Sequence, residues 1–215
     1  MGHRTTEREL RGYLMGSKMQ TGLLLILGPI VSLVGWMAIY PGDDSATAES
    51  AAKLMADPTL AKLGMLMGFG GMGALFIGFL NISRKMAAGD GAGASYANIS
   101  AIMAMTLIVM MAIGIGIEWA VTEASDATEG VSLMLHSAAI ETPFSLIGGL
   151  LMVLLGIGII LEKNFHIIIG GLAVVAGALF IISNVDAVAT GGFIGWIGTM
   201  LVALGLGVQT LRSKS

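Results

Sequence analysis

Four ionisable side chains sit where apolar runs give way to polar ones: Glu118, His136, Glu141 and Asp186. Histidine titrates near neutral pH and a neighbouring carboxylate shifts it, so such a set could hold or relay a proton or bind a small polar solute. The same residue types could also ligate a divalent ion such as Zn²⁺. The spacing argues against that: His136 and Glu141 are five residues apart, which does not place them on one face of a helix. No metal ligand is therefore assigned. The simplest account is that the four groups mark helix ends lying among headgroups and water.

Other chemistries fail on composition. The chain has no cysteine, which removes disulfides, thiolate metal sites and cysteine nucleophiles together. His166 would face the opposite side of the membrane from His136, and His3 lies in a polar leader, so a bis-histidine haem is not expected. The 16 methionines could suggest Cu(I). Met-X-Met, however, puts successive sulfurs about 200° apart on a helix, and flexible gap-filling is the better reading. No mid-span lysine, Gly-X-Ser-X-Gly or His-Glu-X-X-His motif is present. No cofactor and no catalytic residue is assigned, and a net charge of −3 gives no reason to expect a nucleic-acid partner.

The elements that must position these groups are membrane spans. The composition is 55% hydrophobic and 12% charged, with mean hydropathy +0.87. A soluble domain carries roughly 25% charged residues. The clearest stretch runs from Thr142 to Val185, where two apolar runs flank Glu162-Lys163-Asn164. Each run is long enough to cross a ~30 Å hydrocarbon core, and so short a turn permits only an antiparallel hairpin. Extending that logic predicts an all-α, polytopic bundle of six transmembrane helices at 21–40, 61–82, 96–121, 143–161, 165–184 and 188–211.

Short amphipathic surface helices complete the layout. Thr6 and Glu9 have the form of a capping box in the 1–20 leader. A second surface helix is expected over Ser45–Asp57, ended by Pro58. The first apolar run exceeds a signal-peptide core and is read as a retained span despite Ala46-Thr47-Ala48. Ser83–Ser95, rich in Gly and Ala, reads as a flexible linker. The fourth span is placed from Pro143, because Thr142 suits an N-cap and proline the first helical position. A helix continuous from Val131 to Leu161 would run about 46 Å, and would protrude or bend.

Small residues four apart, Gly64 and Gly68, then Gly70, Ala74 and Gly78, and again Gly191 and Gly195, leave flat stripes where another helix backbone can approach. Basic residues set the orientation. With both termini cytoplasmic, Arg4, Arg8, Arg11, Lys18, Arg84, Lys85, Lys163, Arg212 and Lys214 lie inside, against Lys53 and Lys62 outside. That reading makes the protein a multi-pass cell-membrane protein.

Two stretches carry a family likeness: the segment after the first span with Gly42, Asp43, Ala46, Thr47 and Ala48, and the closing hairpin with Gly156, Gly170, Gly171 and Gly177. In these the chain resembles small six-helix prokaryotic membrane proteins catalogued only as a domain of unknown function. The family's proline at the start of the fifth helix is replaced here by Phe165-His166. The resemblance implies the six-helix layout and no particular reaction.

Three functions follow as expectations. The first is a non-catalytic protein that binds or transports a small solute, proton or ion through a polar outer entrance near Glu118, His136, Glu141 and Asp186. The second is an accessory or scaffold subunit whose glycine stripes face a partner subunit or a second copy. The third is a metal-dependent membrane enzyme. The lipid bilayer is the partner common to all three.

Overall fold

The computed structural model describes residues 17–42, 47–185 and 190–213. Most of the 1–20 leader, including its expected surface helix, and Asp186 lie outside the described residues. The described chain is helical with no strands: α1 Lys18–Val34, α2 Thr47–Ala56, α3 Pro58–Ala87, α4 Ala94–Val121, α5 Ala127–Glu162, α6 Ile167–Ile182 and α7 Thr190–Arg212. It is an all-α membrane-type bundle. Five helices, α1 with its terminal turn, α3, α4, α5 and α7, are long and apolar enough to cross a membrane. The sixth, α6, has 16 residues and runs about 24 Å.

The starts follow local chemistry. Ser17 caps α1 by accepting from the Gln20 N–H, and Asp57 caps α3 by accepting from the Leu60 N–H. Asp126 caps α5 through the Thr128 and Glu129 amides, while the Glu129 carboxylate accepts from Ser125. His166 Nδ1 accepts the Ile168 N–H and caps α6. Each satisfies an amide that the helix itself leaves open.

Six helices form a closed ring in the order α1, α3, α4, α5, α6, α7 and back to α1. Neighbours are antiparallel. Gly28 meets Gly71 while Gly35 meets Gly68, and Gly149 meets Gly177 while Gly156 meets Gly170. An even number of alternating ring helices brings the start of α1 and the end of α7 to one side, where Lys18 Nζ donates to the Ser213 carbonyl at 3.3 Å. The ring core is apolar, centred on Leu25, Phe79, Leu107, Leu155, Ala173 and Leu206, all fully buried. Outward, large apolar side chains stand exposed on every ring helix, among them Val109, Ile168 and Leu201. That inversion is what lipid requires.

A second, smaller core lies at the other end. Ala51 and Leu54 of α2, Ala61 and Met65 of α3 and Val121 of α4 pack with Val131, Leu133 and Met134 of α5. Together α2 and the first half of α5 form a cap over the ring.

Two expectations need correction. The helix expected from Pro143 begins at Ala127 and runs through the proline for 36 residues, about 54 Å. Asp126 caps the helix in place of Thr142, and the helix runs on although Pro143 removes one intrahelical N–H bond and crowds the Ala139 carbonyl. Because the whole helix exceeds a ~30 Å core, its polar first half projects and α2 covers it. Ser83–Ser95 is no linker: α3 continues to Ala87 with Ser83 and Met86 buried. The connection left is short, and the Glu162 carboxylate holds it by accepting the Gly93 N–H at 2.9 Å. The glycine stripes also find partners inside the chain. A Cβ at Gly64 would strike Tyr40, at Gly68 Trp36, at Gly78 Leu25 and at Gly195 the Ala176 carbonyl. Gly191 sits more loosely against Leu179, Ala74 is half-buried, and only Gly70 of the series opens to nothing.

Candidate functional site

Glu118 lies in the last turn of α4, half-buried where the ring meets the cap. Two hydroxyls from different elements donate to its two carboxylate oxygens: Tyr40 Oη to Oε2 at 2.9 Å and Ser137 Oγ to Oε1 at 3.1 Å. Tyr40 follows α1, and Ser137 lies on the projecting half of α5. Hydrogen bonds to an ionised acceptor are about twice as strong as neutral ones. The arrangement therefore ties α1, α4 and α5 through one carboxylate.

Tyr40 reaches Glu118 because α1 does not end as a plain α-helix. Gly35–Ile39 is wound as a π-helical turn, closed by the Tyr40 N–H on the Gly35 carbonyl at 2.8 Å. Trp36 packs edge-on to Tyr40 at 4.7 Å between ring centres and to Phe69 at 4.8 Å. Ser50 of α2 is buried, and its hydroxyl lies close beside Gly42, against which the Tyr40 ring also packs.

Beside this cluster is a charged rim. Lys62 pairs with Glu123 at 2.7 Å and lies 4.8 Å over the Trp119 ring, whose N–H donates to Glu123 at 3.2 Å. The Lys62 hydrogen bond, then its charge, and the Trp119 N–H hold the Glu123 carboxyl below the ordinary range.

Of the four residues singled out by sequence, only Glu118 enters the cluster. His136 is exposed one residue before Ser137 and so points about 100° away. Its Nδ1 lies 2.6 Å from the Ser132 carbonyl. A carbonyl only accepts, so Nδ1 donates to it. Glu141 is exposed one turn along α5 from Ser137. Asp186 lies outside the described residues. Among the described residues no three His, Asp or Glu side chains converge as a metal site would need.

Tyr40 and Ser137 are what sequence reasoning missed. Tyr40, at the end of the first apolar run, reads from sequence as no more than an interfacial aromatic. Ser137 carried one signal: a small hydroxyl within the apolar segment Val131–Ile140. A hydroxyl that ends up buried must find a partner.

Among the described residues the best-formed gap in the ring is small, about 10 Å³, and is lined by Met72, Phe76, Phe144, Gly148, Met152, Phe180, Trp196 and Thr199. That is about the space of one water, in an apolar setting that gives a water too few partners. Two pairs of polar groups within the helices bond to each other: Asn81 donates to Thr21 at 3.2 Å, and Ser83 and Ser100 share a bond of 3.0 Å. Met65 and Met72 are core filling. His166 Nδ1 is engaged in capping α6.

No family model, curated protein or solved structure matches the chain.

Proposed function

We propose that this is a non-catalytic multi-pass protein of the cell membrane, crossing six times with both termini cytoplasmic, that binds a proton or small cation at Glu118. The single observation that carries the reading is the half-buried Glu118 carboxylate gripped by Tyr40 and Ser137 between ring and cap. Ionisable groups within membrane-spanning helices are costly and point by default to function. The nine basic residues on the terminal side support the orientation, and the Lys18–Ser213 contact supports an even number of crossings, with α6 as the sixth span. A 16-residue apolar helix spans with slight local thinning of the bilayer.

Infrared difference spectroscopy on the reconstituted protein tests the site. A pH step should produce a carboxyl band that disappears in Glu118→Gln. An identical spectrum from that variant would remove Glu118 as the binding group.

The closed apolar ring favours a second reading, a non-conducting accessory subunit of a membrane complex. Proton flux in proteoliposomes separates the two if a partner also co-purifies in fixed ratio. The metal-dependent enzyme finds no ligand set among the described residues.

A further inference from the structure

We propose that the last turn of α1 is a two-register switch that either places Tyr40 on Glu118 or withdraws it. The inference rests on the reading of Glu118 as the binding group. In the observed register the Tyr40 N–H bonds five residues back, to Gly35. An α-turn would close it four residues back, on Trp36. π-turns are single-turn excursions from α geometry, frequent at functional sites. Each residue of register is about 100° of rotation. Relaxation to α would therefore swing the phenol off the carboxylate to which it donates at 2.9 Å.

The turn is bounded so that the change stays local. At its start Gly35 is pinned backbone to backbone: a Cβ there would lie 2.8 Å from the Met67 carbonyl carbon. At its end Tyr40 is extended, φ −66° and ψ 123°, as the residue before Pro41 must be, so the helix cannot propagate. The α-helical stretch just before lacks one ladder bond, since Pro29 supplies no N–H to the Leu25 carbonyl, and among the described residues the fully buried Ser32 hydroxyl has no hydrogen-bond partner.

Position 64 is matched to the π register. A Cβ on Gly64 would fall 2.6 Å from the Tyr40 Cα and 2.8 Å from its N and Cβ. Only glycine there admits the tyrosine backbone where it now stands.

A proton or cation on Glu118 weakens it as an acceptor of the phenol hydrogen, since the charge-assisted bond is the stronger one. Occupancy then biases the turn toward α and takes Tyr40 away, while an empty, ionised Glu118 holds the π register. A ligand shifts a two-state element only by such a differential contact.

Backbone ¹³C and ¹⁵N shifts of Gly35–Tyr40 in lipid nanodiscs read the register directly. Tyr40→Phe, Glu118→Gln and Gly64→Ala are each expected to move these resonances to α-helical values. Gly64→Ala does so without touching either polar group, and Tyr40→Phe is mild enough to keep the fold should Gly64→Ala not. Wild-type shifts in both Tyr40→Phe and Glu118→Gln would overturn the switch. If the Glu118 infrared band is present in wild type while the register stays fixed in Glu118→Gln, the switch falls and the binding reading stands.

Discussion

The ring and the cap are held together by different physics. In the ring, helix meets helix largely through backbone. A Cβ at Gly149 would lie 2.6 Å from the Gly177 carbonyl oxygen, and one at Gly156 2.6 Å from that of Gly170. Lipid tails are as apolar as leucine, so burying aliphatic side chains between spans gains little, and close van der Waals contact does the holding. In the cap, Leu54 and Ala51 seal a small cluster against α5 by ordinary side-chain burial, with ion pairs at the rim. Where water is the alternative, area removed from it is what stabilises. Glu118 stands at the seam between the two regimes.

That contrast breaks first at the α5–α6 seam. Gly177→Leu is expected to cost more than the ~1–3 kcal/mol usual for overpacking, because its neighbours, the Gly149 carbonyl and the Val153 amide, are backbone and cannot move aside. The bundle should not survive in mild detergent. Gly148 is the internal control. It is buried yet has nothing within 4 Å of a Cβ, so Gly148→Ala should stabilise by roughly 0.5–1 kcal/mol through helix propensity alone. Thermal unfolding of the pair decides the matter. Equal losses at both positions would mean that glycine serves flexibility here rather than contact.

The cap should respond in the opposite way. Leu54 is fully buried, and Leu54→Ala is expected to cost about 2–3 kcal/mol of cap stability while leaving the ring intact. Hydrogen exchange should rise in α2 and the first half of α5 and stay fixed in α6 and α7. A rise spread over the whole protein would show one cooperative unit, not two.

How much of this was legible follows the same division. The ring was readable because a bilayer imposes length and hydropathy on each pass. The Thr142–Val185 hairpin is accordingly found as α5 and α6. The cap was readable only in part: α2 is the surface helix expected over Ser45–Asp57, but its docking on α5 was not legible, because each short segment has an adequate local explanation. Pro143 has the form of a helix start, yet Asp126 caps a helix that runs through it. At the opposite end of the ring, Ser83–Ser95 has linker composition, yet contacts from Ser100 and Glu162 order it. The site failed for a related reason. Glu118 was visible as an acid at a span end, whereas Tyr40 joins it only through a π-turn that no residue spacing announces. The glycine stripes were recognised as contact surfaces, but a single sequence does not show that the contacts lie within the chain.

The smallest expected effect lies at the cap rim and is a matter of sign. Lys62 and Trp119 hold the Glu123 carboxyl below its ordinary value of 4.5. A folded value below the unfolded one means that the pair contributes stability above pH 4.5, and that this contribution disappears as pH falls through the lowered folded value. The carboxylate is fully exposed, so salt should screen the pair in the same direction as acid. Glu123→Gln should therefore flatten the acid limb of cap hydrogen exchange without moving that of the ring. At neutral pH and high salt, wild type and variant should coincide. If the acid limb instead tracks the ring in both proteins, the rim pair plays no part in holding the cap, and its attachment rests on the Leu54 cluster alone.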